Sequence, residues 1–176
     1  MKKVTVYTDG ACRGNPGAGG YGAVLLYGSF VKELSGGEER TTNNRMELSA
    51  AIAALSALKE PCDVTLYSDS KYLVDAVNKG WLAAWEKENF RAGKKNEVLN
   101  PDLWRTFSAL LSRHRVPLIW VKGHAGNPYN ERCDALATSF SDSFSRSCPF
   151  FDQYQPLGSS LCKLPVSRAF WLWRFA

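Results

Sequence analysis

The chain has 176 residues, 45% hydrophobic and 22% charged, with 22 Lys and Arg against 17 Asp and Glu for a formal net charge of +5. That length suits one domain with a sizeable core, and the composition excludes a disordered or membrane-embedded chain. The modest basic excess suits a polyanionic partner without requiring one.

Met1-Lys2-Lys3 leads directly into KVTVYTDG, with no apolar signal core between. In Lys3–Gly10, Lys3, Thr5, Tyr7 and Asp9 fall on one face and Val4, Val6 and Thr8 on the other, which predicts a strand with a buried side. The strand ends on the carboxylate of Asp9. Two readings of Asp9 are open: it starts the turn at Gly10, or it serves a site with other acids.

GACRGNPGAGGYG follows, a glycine-rich turn that fits neither a P-loop nor a dinucleotide fingerprint. Tyr21–Tyr27 and Phe30–Leu34, split by Gly28-Ser29, predict a hairpin. Thr41-Thr42-Asn43-Asn44 is rich in capping residues, and Leu48, Ala51, Ile52, Leu55 and Leu58 recur at helical spacing, so a helix is expected from about Asn44 to Lys59, ended by Pro61. Glu47 lies in its first turn. It either leans over the sheet or closes a capping box with Asn44.

Asp63–Asp69 repeats the first design, alternation ending on an acid. Side by side, Asp9 and Asp69 would stand about 4.8 Å apart at backbone level. A short helix is expected over Ser70–Val77. Beyond Gly80, Trp81, Trp85 and Phe90 alternate with Lys87, Arg91, Lys94 and Lys95. That segment reads either as a helical hairpin anchored by its tryptophans or as a nucleic-acid-binding projection with aromatic platforms.

A helix from Pro101 to about Ser112 carries Leu103, Trp104, Phe107, Leu110 and Leu111 on its apolar face, and Val116–Val121 is a fifth strand. Lys122–Pro128 is a loop bearing His124, and a helix is expected from Asn130, with Asp134 near its start. Singly, His124 reads as an incidental surface residue and Asp134 as a favourable dipole partner. The five cysteines, Cys12, Cys62, Cys133, Cys148 and Cys162, form no C-x-x-C pair, which argues for a reducing, cytoplasmic setting. The late apolar run Ala169–Trp173 is far shorter than the roughly 20 residues of a spanning helix, so no membrane contact is expected.

Together Asp9, Glu47, Asp69 and Asp134 say more, because two strand ends and two helix starts meet at one end of an open α/β sheet. Bare carboxylates there would repel and raise one another's pKa values. Divalent cations that prefer hard oxygen ligands, Mg²⁺ or in its place Mn²⁺, remove that conflict. Two such ions about 4 Å apart suit phosphodiester hydrolysis, so a metal-dependent nuclease is expected.

TDGACRGNPGAGGYGA, TTNNRMEL, the Asp69-Ser70 pair and WVKGHAGNPYNERCDALA closely resemble bacterial ribonuclease H type 1 over residues 1–140, including the tryptophan-bearing handle, residues 78–100. The resemblance implies a ribonuclease H-like α/β fold, a five-stranded mixed sheet flanked by helices in the order βββαβαααβα. It implies a monomeric enzyme that cuts the RNA strand of RNA–DNA hybrids and leaves a 5′-phosphate and a 3′-hydroxyl. Asp9, Glu47, Asp69 and Asp134 match the family's metal-binding catalytic carboxylates, and His124 its loop histidine. Asn15, Thr42, Asn43, Asn44, Lys71, Trp81, Trp85, Lys87 and Trp104 are implied contacts to the nucleic acid. Lys71 stands where many relatives carry Gln, so a charged phosphate contact would replace an amide one. The handle is diluted by Glu86 and Glu88, which predicts a weaker grip and a smaller salt slope.

Residues 141–176 do not share the resemblance and are expected to be a dispensable extension. A binding module of the same fold without catalysis is the alternative, disfavoured because a pure polyanion binder gains nothing from four clustered acids.

Overall fold

The computed structural model describes residues 1–92 and 96–146. The expectations placed on Lys94, Lys95, Cys148, Cys162 and the aromatic run at 169–173 lie outside those residues. Three long strands open the chain, β1 (Lys2–Gly14), β2 (Gly17–Tyr27) and β3 (Phe30–Thr41), followed by α1 (Asn43–Ser56), β4 (Cys62–Ser68), α2 (Lys71–Asn78) and α3 (Trp81–Lys87). A two-stranded ribbon, β5 (Arg91–Ala92) and β6 (Asn96–Glu97), then precedes α4 (Pro101–Arg113), β7 (Leu118–Trp120) and α5 (Pro128–Arg146). The expected order holds, with the ribbon added inside the handle.

The main sheet has the order β3-β2-β1-β4-β7, with β1 antiparallel to β2 and parallel to β4. Two expectations change here. The glycine-rich stretch is mostly strand, because β1 and β2 pair as far as Gly14↔Gly17 and leave only Asn15 and Pro16 to turn. Asp9 is therefore inside β1 rather than at its end; what stops beside it is the pairing with β4, whose last partners are Thr8 and Ser68.

Val4, Val6, Ala23 and Leu25 point from the sheet onto Leu48, Ala51, Ala54 and Leu55 of α1, and Trp104 and Phe107 of α4 complete this core, both fully buried. Burying each such side chain contributes roughly 1.5–3 kcal/mol. The opposite face is covered by α5, which runs across β2, β1 and β3. Glycines let it come close: a Cβ on Gly22 would sit 2.2 Å from the Cys133 carbonyl oxygen, and one on Gly20 2.2 Å from that of Ala137. The boundary expected after residue 140 falls inside α5, which continues to Arg146, buries Ser141 and pairs Asp142 with Arg13.

The tryptophans of the handle divide. Trp81 is exposed, while Trp85 is half-buried with its ring 5.4 Å from that of Trp104. Trp104 itself is wholly buried and its indole N–H donates to the Tyr72 hydroxyl at 2.8 Å, so it is a core residue and not a surface for stacking bases. This corrects its place among the expected nucleic-acid contacts. Among the described residues no helix is long and apolar enough to cross a membrane.

Candidate active site

Three carboxylates meet above the end of the β1–β4 pairing. One oxygen from each of Asp9, Glu47 and Asp69 lies within 4.8 Å of the other two. Asp9 faces the α5 side, opposite Gly22 in the register, and Asp69 follows directly on the last residue of β4. Glu47 arrives from the other face. It does so because residue 10 is glycine: a Cβ there would stand 2.4 Å from the Glu47 backbone nitrogen, so any side chain would push α1 off the sheet.

The capping-box reading of Glu47 fails on register. Thr42 is the N-cap of α1, its hydroxyl accepting from the Arg45 N–H at 3.4 Å, which puts Glu47 beyond the first turn. Its Oε1 accepts from the Asn43 amide at 3.4 Å, and its Oε2 is buried with no hydrogen-bond partner among the described residues. Asp69 Oδ1 is in the same state. Orphaned carboxylate oxygens in a dry cluster are costly unless something cationic sits among them.

Burial pushes the Asp9 carboxyl up to about 7, helped by the nearby charges of Asp69 and then Asp134, even though the Gly10 N–H donates to it at 2.7 Å. Glu47 is also raised well above its usual range, first by burial and then by Asp9 and Asp69. Such mutual repulsion, with hard oxygen donors only, fits a divalent cation such as Mg²⁺.

Asp134 is in the second turn of α5, half-buried and outside the tight trio, and its Oδ1 accepts from the Thr138 hydroxyl at 3.4 Å. His124 is exposed in the loop over Asp69, in a left-handed backbone conformation with φ of 51°. Gly123 permits that loop to close, since a Cβ on it would meet Asp69 Oδ2 at 2.5 Å.

The Asn15 amide oxygen accepts from the Asn43 backbone N–H at 3.3 Å, so the β1–β2 turn and the start of α1 form one polar edge that also holds Thr42 and Asn44. Arg45 ties that edge to α4 through two hydrogen bonds to Asp102, at 2.9 and 3.1 Å. Lys71 begins α2 just past Asp69, and Lys87 is exposed at the end of α3.

Two residues were missed in the sequence. The buried Asn130 donates from its amide to Asp69 Oδ2 at 3.4 Å, and the Trp120 indole N–H donates to the Asp69 carbonyl at 3.0 Å. Asn130 precedes Asp134 by one helical turn, a spacing that puts both on one face and that was open to reading. Trp120 had no comparable signal.

Comparison with known proteins agrees with this geometry. The family model described as RNase H matches residues 1–141. A protein named Ribonuclease H from Chlorobium phaeovibrioides is 62% identical over 136 residues, 77% of this chain and 93% of its own length. One of the same name from Moorella thermoacetica is 62% identical over 137 residues, 78% of this chain and 90% of its own. Among solved structures, LC9-RNase H1, described as a type 1 RNase H with the type 2 active-site motif, superposes with a TM-score of 0.71 at 29% identity, over 81% of this chain and 74% of that one.

Proposed function

The chain belongs to the ribonuclease H family, and on that premise we propose that it hydrolyses the RNA strand of RNA–DNA hybrids with divalent ions held by Asp9, Glu47 and Asp69, leaving 5′-phosphate and 3′-hydroxyl ends. It is an enzyme rather than a passive binder of the same fold. The observation that supports the site assignment is the trio of carboxylate oxygens within 4.8 Å, two of whose members keep a buried oxygen that nothing among the described residues satisfies.

Divalent ions bound there, Mg²⁺ or Mn²⁺, would supply the Lewis acidity that activates water and offsets charge on the phosphate. The protein's own work is positioning. Asp9 and Asp69 present their oxygens from adjacent parallel strands and Glu47 closes the third side, its orientation held by Asn43. Asn130 steadies Asp69 from α5. Asp134, outside the tight trio, would add a fourth carboxylate around the ions, and His124, exposed on its loop, would exchange protons at the rim. Asn15, Thr42, Asn43 and Asn44 form the edge on which the hybrid would lie, offering amides and hydroxyls suited to RNA 2′-hydroxyls and phosphates. Trp81 with Lys87 would grip the hybrid farther out, in a monomer working in the cytoplasm.

The test is cleavage of a labelled RNA–DNA hybrid beside RNA–RNA and DNA–DNA duplexes, with Mg²⁺ and with EDTA. We expect hybrid-only, metal-dependent cutting that falls by more than about 100-fold in Asp9→Asn while the circular dichroism spectrum stays native. Metal-independent cutting, or an active Asp9→Asn, would refute the site.

A further inference from the structure

Lys71 is an unusual choice for its position. It is the first residue of α2, where the helix dipole favours anions and disfavours a cation. Lys79, at the other end of the same helix, is paired with Asp75 at 2.8 Å. Among the described residues Lys71 has no such partner. Its ammonium instead lies 5.0 Å from the centroid of the Trp120 ring.

Trp120 is engaged at both its edge and its face. It is the last residue of β7, paired with Ser68, and its N–H to the Asp69 carbonyl fixes the indole plane against the β4–α2 turn. Trp120 is still 43% exposed. Cation–π contacts occur roughly once per 70–80 residues and most carry no function. This one differs because the aromatic is bonded to the backbone of a candidate metal ligand and, among the described residues, the cation has no ion-pair partner.

We propose that Trp120 is a positioning residue, anchored on the Asp69 carbonyl, whose ring face holds the Lys71 ammonium beside the carboxylate cluster to take a backbone phosphate of the bound nucleic acid. This rests on the nuclease reading above. A flexible ammonium left in water would spread over many rotamers; laid on a fixed indole it is pre-aimed, and less side-chain entropy is lost when a phosphate arrives. The phosphate would also offset the unfavourable charge of Lys71 at the start of α2.

The test is steady-state cleavage of the hybrid at several salt concentrations by wild type, Lys71→Gln, Trp120→Leu, Trp120→Phe and the double variant Lys71→Gln/Trp120→Leu, with thermal unfolding of each. Lys71→Gln is expected to raise KM roughly three- to tenfold and lower the salt slope by about one, with the loss on KM rather than kcat. Trp120→Leu should do the same, and the double variant should be no worse than either single one. Trp120→Phe, which keeps a ring face but not the N–H, should stay nearer wild type. Losses that add fully in the double variant, a fall confined to kcat, or Trp120→Phe failing as badly as Trp120→Leu would overturn the proposal. A wild type unable to cut the hybrid would overturn the nuclease reading and this inference with it.

Discussion

Asp9 carries opposing demands. Its carboxyl is pushed from 3.8 to about 7, so without metal the folded protein keeps that proton over a pH range in which the unfolded chain releases it. Raising the pH through this window therefore costs native stability, and the full cost is present above about 7. A neutral amide bears none of it. In EDTA at pH 8, Asp9→Asn should be more stable than wild type by roughly 1–4 kcal/mol, and the difference should shrink by pH 5. Thermal unfolding at the two pH values decides it, and a variant less stable than wild type at pH 8 would contradict the burial argument. Asp9 and Asp69 were legible because each closes an alternating strand pattern, whereas Glu47 and Asp134 singly read as a cap and a dipole partner. Asn130 and Trp120 were not, since an amide inside a helix and a tryptophan at a strand end are ordinary residues until their partner is known. Periodicity had already put Trp104 on the apolar face of its helix, where it is buried; its place among the nucleic-acid contacts came only from the family resemblance.

At the scale of elements, the far end of the sheet from the carboxylates is tied by His114. This residue follows α4, is buried, and accepts from the Cys62 N–H through Nδ1 at 3.2 Å, joining the end of α4 to the start of β4. Its Nε2 has no hydrogen-bond partner among the described residues. Burial, and then the charge of Arg113, hold its pKa below the usual 6.5. The unfolded chain thus takes up the proton first, and the stability contributed by neutral His114 is present above pH 6.5 and lost as the pH falls below it. Because Asp9 and Glu47 both titrate with the opposite sign, the effect is best read in a background of Asp9→Asn and Glu47→Gln. There, the melting temperature should drop between pH 7 and 5, and a further His114→Asn substitution, which keeps an acceptor for the Cys62 N–H, should flatten the drop. An unchanged slope would show that another group titrates. Helix and strand identities came through from periodicity, and boundaries did not. The β1–β2 arm was taken for a turn because glycines that permit close helix approach look the same in sequence as glycines that bend a chain.

Across the whole molecule, catalysis is expected to need only the body that ends with α5. A chain stopped after Arg146 should cut the hybrid as the full chain does. Stopping after Ser141 should leave cutting in place but lower the melting temperature, because Arg13 loses Asp142 and the last turn of α5 is gone. Loss of cleavage in a folded chain ending at Arg146 would give the remaining residues a role in the reaction. The family resemblance stopped near residue 140, although the helix runs on: α5 is held there by Asp142, whose ion pair with Arg13 joins segments far apart in the chain that no local pattern announces.

The register also has a consequence for how the chain tolerates changes in length. Thr8 pairs with Ser68, and each acid comes one residue later. A single residue inserted or deleted within either strand would turn its carboxylate to the opposite face, because side chains alternate at every step. The Gly28-Ser29 tip at the other end of the sheet has no such constraint: nothing lies within 4 Å of where a Cβ on Gly28 would be, and Phe30 beside it is 74% exposed. Insertions should accumulate at that end and be purged at the other, so that the molecule can grow away from its chemistry but not toward it.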